Sequence, residues 1–321
     1  MQSFNQEHTM IEVNGKNCRV RVIAHSIADH VTNKKEILTL ELRYWRAIHA
    51  ELMTHRDFSR NAGSSRAIPT ARLIKQVREE PAGPLHWGKN QPGMQAREEH
   101  DALVDLDFYE EFDNPSDVPL FKFDTVQVSA QNAWKDAAQE AANRAEAFAK
   151  AGYHKQIVNR LLEPFQWINV LVTSTEWDNW DNLRAHEDAQ PEIQDLAVTM
   201  REARRQSKPV KRGIERREER AWHLPYVLDS EREFIRLDVL KKLSTARCAR
   251  VSYDPFDGNA AIEKEIERYN MLVGSVPLHA SPTEHQACPL TAGDERSRNF
   301  KGWHQHRVNV EAEAYLAKRA A

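Results

Sequence analysis

Apolar residues in this chain recur at two spacings, and the spacings divide it into elements. Residues 18–24 alternate polar and apolar side chains before an apolar step at Ile23 and Ala24, the pattern of a strand. Residues 37–43 set Leu38, Leu40 and Leu42 on one face and predict a strand buried on that face only. Directly after it, Ile48, Leu52 and Met53 fall at helical intervals within residues 44–53, predicting a helix that delivers His55 and Arg56 at its end. Residues 81–95 are rich in Pro and Gly and predict a loop. The clearest helix spans 130–151, dense in alanine and charge, with Ser129 placed to cap it and Gly152 to end it. A further element at 155–162 leads to Pro164, and residues 167–175 carry an apolar, β-branched run. Residues 191–205 predict another helix, with Ile193, Leu196 and Met200 facing one way.

The stretch 201–220 breaks this rhythm. It is dense in charge and interrupted by Pro209 and Gly213, so it predicts solvated surface and is the best candidate linker. Residues 231–243 predict a helix, and a Pro- and His-containing loop surrounds His279. No internal repeat is visible.

Composition narrows the class. A chain of 321 residues accommodates one large or two ordinary domains. A formal charge of -3 and a pI near 6.5 argue against a nonspecific coat on nucleic acid, and no stable nucleic-acid partner is expected. A charged fraction of 29% with a mean hydropathy of -0.70 predicts a water-soluble protein, and no run approaches the length of a membrane span. The first ten residues lack the basic-then-apolar layout of a signal peptide, so a cytoplasmic location is expected. Cys18, Cys248 and Cys288 are far apart and odd in number, which predicts neither a metal site nor a disulfide framework.

The densest chemistry lies between Thr54 and Arg66. His55, Arg56, Ser59, Asn61, Gly63, Ser64, Ser65 and Arg66 follow one another within a dozen positions. Backbone N–H groups near Gly63, the two serine hydroxyls and a guanidinium are the parts that hold a phosphate, because arginine gives bidentate charged hydrogen bonds and small residues admit close backbone approach. The same composition also suits a polar loop that opens a helix with Ser or Asn as its cap.

Four separated segments carry a resemblance. They are His55-Arg56-x-x-Ser59-x-Asn61-x-x-Ser64-x-Arg66; Asn182-Leu183-Arg184 followed by Ala189-Gln190-Pro191-Glu192-Ile193; Ala249-Arg250-Val251-Ser252; and His279-Ala280-Ser281-Pro282-Thr283-Glu284-His285. Together they resemble the signature segments of the flavin-dependent thymidylate synthases. The last two segments normally precede the first two in that family. Their order here resembles a circular permutation, in a phage-type branch of the family.

The resemblance implies an α+β fold, an antiparallel sheet with long helices, circularly permuted. It divides the chain into a main catalytic part at 1–200, a charged linker at 201–230 and a permuted segment at 231–321 that completes the same domain. It implies reductive methylation of dUMP to dTMP, with methylenetetrahydrofolate giving the carbon and FAD, recharged by NADPH, giving the hydride. By resemblance His55, Arg56, Ser59, Asn61, Asn179, Ser252 and His285 face the flavin. Ser64, Ser65, Arg66, Arg160 and Arg184 bind the nucleotide, with Arg184, Ser64 and His285 at the chemistry. A homotetramer with shared active sites is also implied.

This sequence departs from the family pattern at Glu51, Thr54, Ala62, Ala67 and Thr283, where the family has Gln, Arg, Glu, Tyr and Phe. The segment from Gly302 to Arg307 carries aromatic, amide and Arg content that could compensate. Those departures keep two alternatives open. One is a related methylase or hydroxymethylase of another pyrimidine nucleotide, such as dCMP or a modified dUMP for phage DNA. The other is a noncatalytic nucleotide- or RNA-binding protein.

Overall fold

A computed structural model describes residues 11–93, 95–112, 120–213, 218–251 and 261–320. Its contacts group into two units, Met1–Ile68 with Trp167–Ala321, and Pro69–Gln166. The described residues form an α+β arrangement in which helices accompany a largely antiparallel sheet. Among them, no helix is long and apolar enough to cross a membrane.

The first unit contributes β1 (Glu12–Asn14), β2 (Cys18–Ala28), β3 (Glu36–Trp45), β4 (Ser59–Ala62), β5 (Trp167–Ser174) and β6 (Val210–Arg212) to one sheet. The antiparallel order is β1-β2-β3-β5-β4, and β6 pairs in parallel with the end of β2. Helix α1 (His49–Met53) precedes β4, α2 (Asp178–Arg184) follows β5, and α3 (Pro191–Gln206) packs on one sheet face. There Ile193, Leu196, Ala197 and Met200 of α3 close over Leu38, Leu40, Leu42, Val170 and Val172.

The strand expected to be buried on one face is buried on both. On the second face, Thr39 and Glu41 of β3 are covered by residues from beyond position 220. Glu41 accepts from Tyr226 Oη at 2.5 Å and from Arg21 Nη1 at 2.9 Å, so the polar face is covered by polar partners rather than by water. The helix expected over 44–53 also starts late. Tyr44 and Trp45 complete the ladder opposite Ile168 and Trp167, and only then does a 3-10 turn at Arg46–Ile48 lead into α1. Cross-strand hydrogen bonding outweighs the local helical spacing at those two positions.

Described parts of the charged stretch form regular elements. Its first residues extend α3 to Gln206, and β6 pairs Ser26 with Val210 and Ala28 with Arg212. The helix predicted at 231–243 is two: Glu231–Phe234, then α4 (Leu237–Arg250), separated by an extended Ile235. Helix α5 (Ile262–Val273) lies against α4, where the buried Arg250 donates to Glu265 at 3.1 Å. The chain then forms β7 (Ala287–Pro289), the hairpin β8 (Arg296–Ser297) and β9 (Phe300–Lys301), β10 (Trp303–Gln305) paired with β7, and α6 (His306–Ala320).

The second unit holds the expected long helix at Ala130–Lys150, and Ser129 Oγ caps it by accepting from Asn132 N at 3.3 Å. Gly152 ends it at φ +86, a conformation that favours glycine. A hairpin joins Val104–Phe112 to Leu120–Val128, and helix Thr70–Glu79 buries Leu73, Ile74 and Val77.

Candidate active site

His55 follows α1 and is buried among rings: its imidazole meets Trp180 edge-on at 4.7 Å and stacks on Phe58 at 5.8 Å. Trp180 lies on α2, and one turn later the same helix presents Arg184. Arg184 Nε donates to His55 Nε2 at 3.0 Å, and its Nη2 reaches Thr54 Oγ1 at 3.4 Å. A ring nitrogen that accepts from a guanidinium carries a lone pair, so His55 holds its proton on Nδ1. Burial, then the charges of Arg184 and Arg60, push the His55 pKa down to about 4. The imidazole therefore stays neutral and orients Arg184 without repelling it. Thr54 also closes the end of α1 by donating to Glu51 O at 2.7 Å.

Arg56, the next residue, opens into a cleft of about 540 Å³ in the first unit. Five arginines line it (Arg56, Arg60, Arg296, Arg298 and Arg307) against two carboxylates, Asp57 and Glu284, with Asn299 and Gln305 among the other lining residues. The arginines differ in how they are held. Arg60 donates to the carbonyls of Met53 and His55 at 2.7 and 2.9 Å. Arg307 is paired with Glu284 and with Glu311, and Arg298 with Glu311. Among the described residues, the guanidiniums of Arg56 and Arg296 make no hydrogen bond or ion pair. Two uncommitted guanidiniums beside three fixed ones make a site for an anion with several oxygens.

Arg56, Asp57, Phe58 and Arg60 line the cleft, and Ser59 between them is buried. Ser59 Oγ is fully buried and accepts from Gln305 Nε2 at 3.0 Å and Asn299 Nδ2 at 3.1 Å. Asn299 also donates to the carbonyl of Asp57 at 3.2 Å. It follows Arg298, whose φ of 57 is a left-handed conformation that costs a non-glycine residue about 1 kcal/mol or more. The contacts of Arg298 and Asn299 hold that turn against the cleft.

The remaining expected site residues divide. Asn61 is buried and donates to the Cys248 carbonyl at 3.4 Å, and Ser65 is buried beside an exposed Arg66. Gly63 N donates to Asn169 O at 2.8 Å, extending the ladder, so that N–H is not open to an anion as the sequence suggested. Ser64 Oγ accepts from Arg66 N at 3.3 Å in the turn after β4. Asn179 is exposed on α2, and Arg160 lies in the second unit, exposed and paired with Glu163 at 3.2 Å. Ser252 lies outside the described residues.

His285 is wholly buried with Nδ1 2.8 Å from Thr173 Oγ1, and burial pushes its pKa down to about 3. Burial also pushes the Cys18 and Cys288 thiols up to about 12 and 11 and raises Cys248 further, so all three remain protonated. Sequence reasoning missed Arg60, Arg296, Arg298 and Asn299. The only local signal was the charge of the tail, which pointed to Arg307 and stopped there.

No protein-family model matches this chain, and no curated protein sequence matches it. Among solved structures, it is similar to a UMP/dUMP methylase, PolB, from Streptomyces cacaoi. The complex of that protein with 5-Br UMP aligns at a TM-score of 0.38 and 15% identity, covering 60% of this chain and 90% of that chain. Its complex with 5-Br dUMP aligns at a TM-score of 0.38 and 14% identity, covering 60% of this chain and 91% of that chain.

Proposed function

We propose that this chain is a flavin-dependent methylase of a pyrimidine nucleoside monophosphate, converting dUMP to dTMP with methylenetetrahydrofolate and NADPH, its signature segments in permuted order. One observation carries the reading. His55 of the first signature segment and Arg184 of the second, 129 positions apart, are in direct contact at 3.0 Å. Two motifs picked out for one chemistry thus meet at one point.

The donor set of the neighbouring cleft fits the phosphates of a flavin dinucleotide. Arg56 and Arg296 would bind them, with Arg60 and Arg298 beside them. Bound there, the flavin supplies the hydride. The chain's own residues position and polarise. Arg184, fixed by a neutral His55, presents its remaining N–H groups to negative charge developing on a pyrimidine ring, a contact that strengthens in the transition state. Ser64, Ser65 and Arg66 are assigned to the nucleotide phosphate, and self-association to a homotetramer belongs to the same reading.

The test is direct. Purified protein is examined for a flavin absorption band, then given FAD, NADPH, methylenetetrahydrofolate and either dUMP or dCMP, with products read by mass. A flavin-coloured protein that forms dTMP from dUMP alone supports the proposal. Methylated or hydroxymethylated dCMP shifts the substrate to the base that Thr54 and Ala62, in place of the family's Arg and Glu, leave open. A colourless protein that binds no FAD and turns over neither nucleotide overturns it.

A further inference from the structure

A continuous file of five side chains ending at His285 crosses the sheet face opposite α3, and the proposed reaction assigns nothing to the other four. Ser26 Oγ lies 2.9 Å from His223 Nδ1, and His223 Nε2 lies 2.8 Å from Thr39 Oγ1. Thr39 Oγ1 lies 2.7 Å from Thr173 Oγ1, which lies 2.8 Å from His285 Nδ1. His223, Thr39, Thr173 and His285 are fully buried and Ser26 is 1% exposed. At the far end His285 Nε2 is buried without a partner. Both rings are neutral: burial lowers the His285 pKa to about 3, and burial followed by Arg212 and Arg232 holds His223 well below the usual histidine value.

A neutral imidazole offers one N–H and one lone pair, and a hydroxyl within a chain donates to one neighbour while accepting from the other. Only two complete settings satisfy every link. In one, Ser26 donates to His223 Nδ1, His223 Nε2–H donates to Thr39, Thr39 to Thr173, and Thr173 to His285 Nδ1, leaving His285 Nε2–H as the unmatched donor. In the other every bond is reversed. His285 Nε2 then becomes a lone pair, and the Ser26 O–H is unmatched. Both settings contain the same hydrogens, and each leaves one buried donor unmet at a cost of about 1–3 kcal/mol. The two penalties are of the same order.

We propose that Thr39, Thr173 and His223 are positioning residues that couple the tautomers of His223 and His285. The two rings are then both Nε2–H or both Nδ1–H, and His285 Nε2 is offered as a donor or an acceptor accordingly. The file borders the cleft: His285 follows Glu284, and Thr173 pairs across the ladder with Ser59, whose hydroxyl is held by Asn299 and Gln305. A polar group arriving at Nε2 selects one setting for all five side chains. Any consequence for turnover rests on the proposed function, but the coupling itself belongs to the ligand-free protein.

The experiment is long-range proton–nitrogen correlation NMR on the full chain labelled with 15N-histidine, at neutral pH and several temperatures. His223→Gln and His285→Gln spectra assign the two rings. Wild type and Thr39→Ser, which retains the hydroxyl, are expected to show one common tautomer ratio for both rings at every temperature. Thr39→Val keeps the volume and removes the link, so the two ratios separate while a cooperative melt shows that the protein is folded. Opposite tautomers in wild type, or ratios that stay together in Thr39→Val, overturn the proposal. Because the readout is the protonation of the two rings and not turnover, either result stands apart from the methylase assay.

Discussion

The cleft around Arg56 and the buried file from Ser26 to His285 share Ser59 and its partners as a border, yet they handle ionisable groups in opposite ways. The cleft keeps its charges. Its guanidiniums reach solvent, are only partly neutralised by Asp57 and Glu284, and await an anion. The file suppresses charge, since two buried imidazoles cannot be protonated without a large desolvation penalty. Depth below the surface decides whether a titratable residue serves as an attractor of ligand or as a directional hydrogen-bonding part.

Acid is the strongest way to break that contrast. The folded-state pKa of His55, His285 and His306 lies at about 4, 3 and 4, below the ordinary value of 6.5 from which each is lowered. The unfolded chain therefore binds more protons as pH falls below 6.5. The stability these groups contribute is complete above that value and is lost as pH falls through the folded-state values. For His285 the stability lost between neutral pH and a pH below its folded-state value is on the order of 5 kcal/mol. Denaturant midpoints should fall steadily from pH 6.5 to 5, above the range of ordinary carboxylates, and His285→Gln should flatten part of the slope. A flat wild-type profile there would show that burial does not hold these rings neutral.

Next in size, the double variant Arg56→Ala with Arg296→Ala should weaken binding of FAD and of inorganic pyrophosphate about 100-fold by calorimetric titration, roughly 3 kcal/mol. Its melting temperature should stay within about 2 °C of wild type, because surface substitutions rarely alter stability by much. Equal affinity in the double variant would remove the cleft from the site.

Thr173→Val is the converse probe. It should leave anion binding intact and cost about 1–3 kcal/mol of stability, since His285 Nδ1 loses its partner and the Thr39 hydroxyl keeps only His223. Weakened anion binding without loss of stability would reverse the roles assigned to the two regions.

The smallest expected effect is Glu284→Gln. Removing the Glu284 carboxylate frees the Nη1 side of Arg307, which Glu311 still holds through Nε, and should raise anion affinity about three- to tenfold, an advantage that fades as salt rises. A drop in affinity would mean that Glu284 touches the ligand itself.

Most elements were legible because their signals are local. Alanine density with Ser129 and Gly152 at the ends marks one long helix, and Ile193, Leu196 and Met200 mark the face of α3 that reaches the core. That His55 and Arg184 belong to one site was expected only through the resemblance, and their direct contact was not expected at all, as neither residue carries a spacing signal toward the other. Arg296 and Arg298 were not legible at all. A charged hairpin looks like ordinary solvated surface until the fold sets it beside Arg56.

The alternation of Leu38, Thr39, Leu40, Glu41 and Leu42 fixes a strand with one apolar and one polar face, because successive side chains point to opposite sides of the pleat. That much needs only the sequence. Whether the polar face meets water is decided elsewhere, by Tyr226, His223 and the segments that follow them. Tyr226 and His223 arrive from 185 and 184 positions away and bring matched hydrogen-bonding groups. Periodicity reports what a face is made of, while burial depends on which distant part of the chain can satisfy it. For that reason strands and signature residues were written locally, and the charged cleft and the neutral file beneath it came into being only with the tertiary structure.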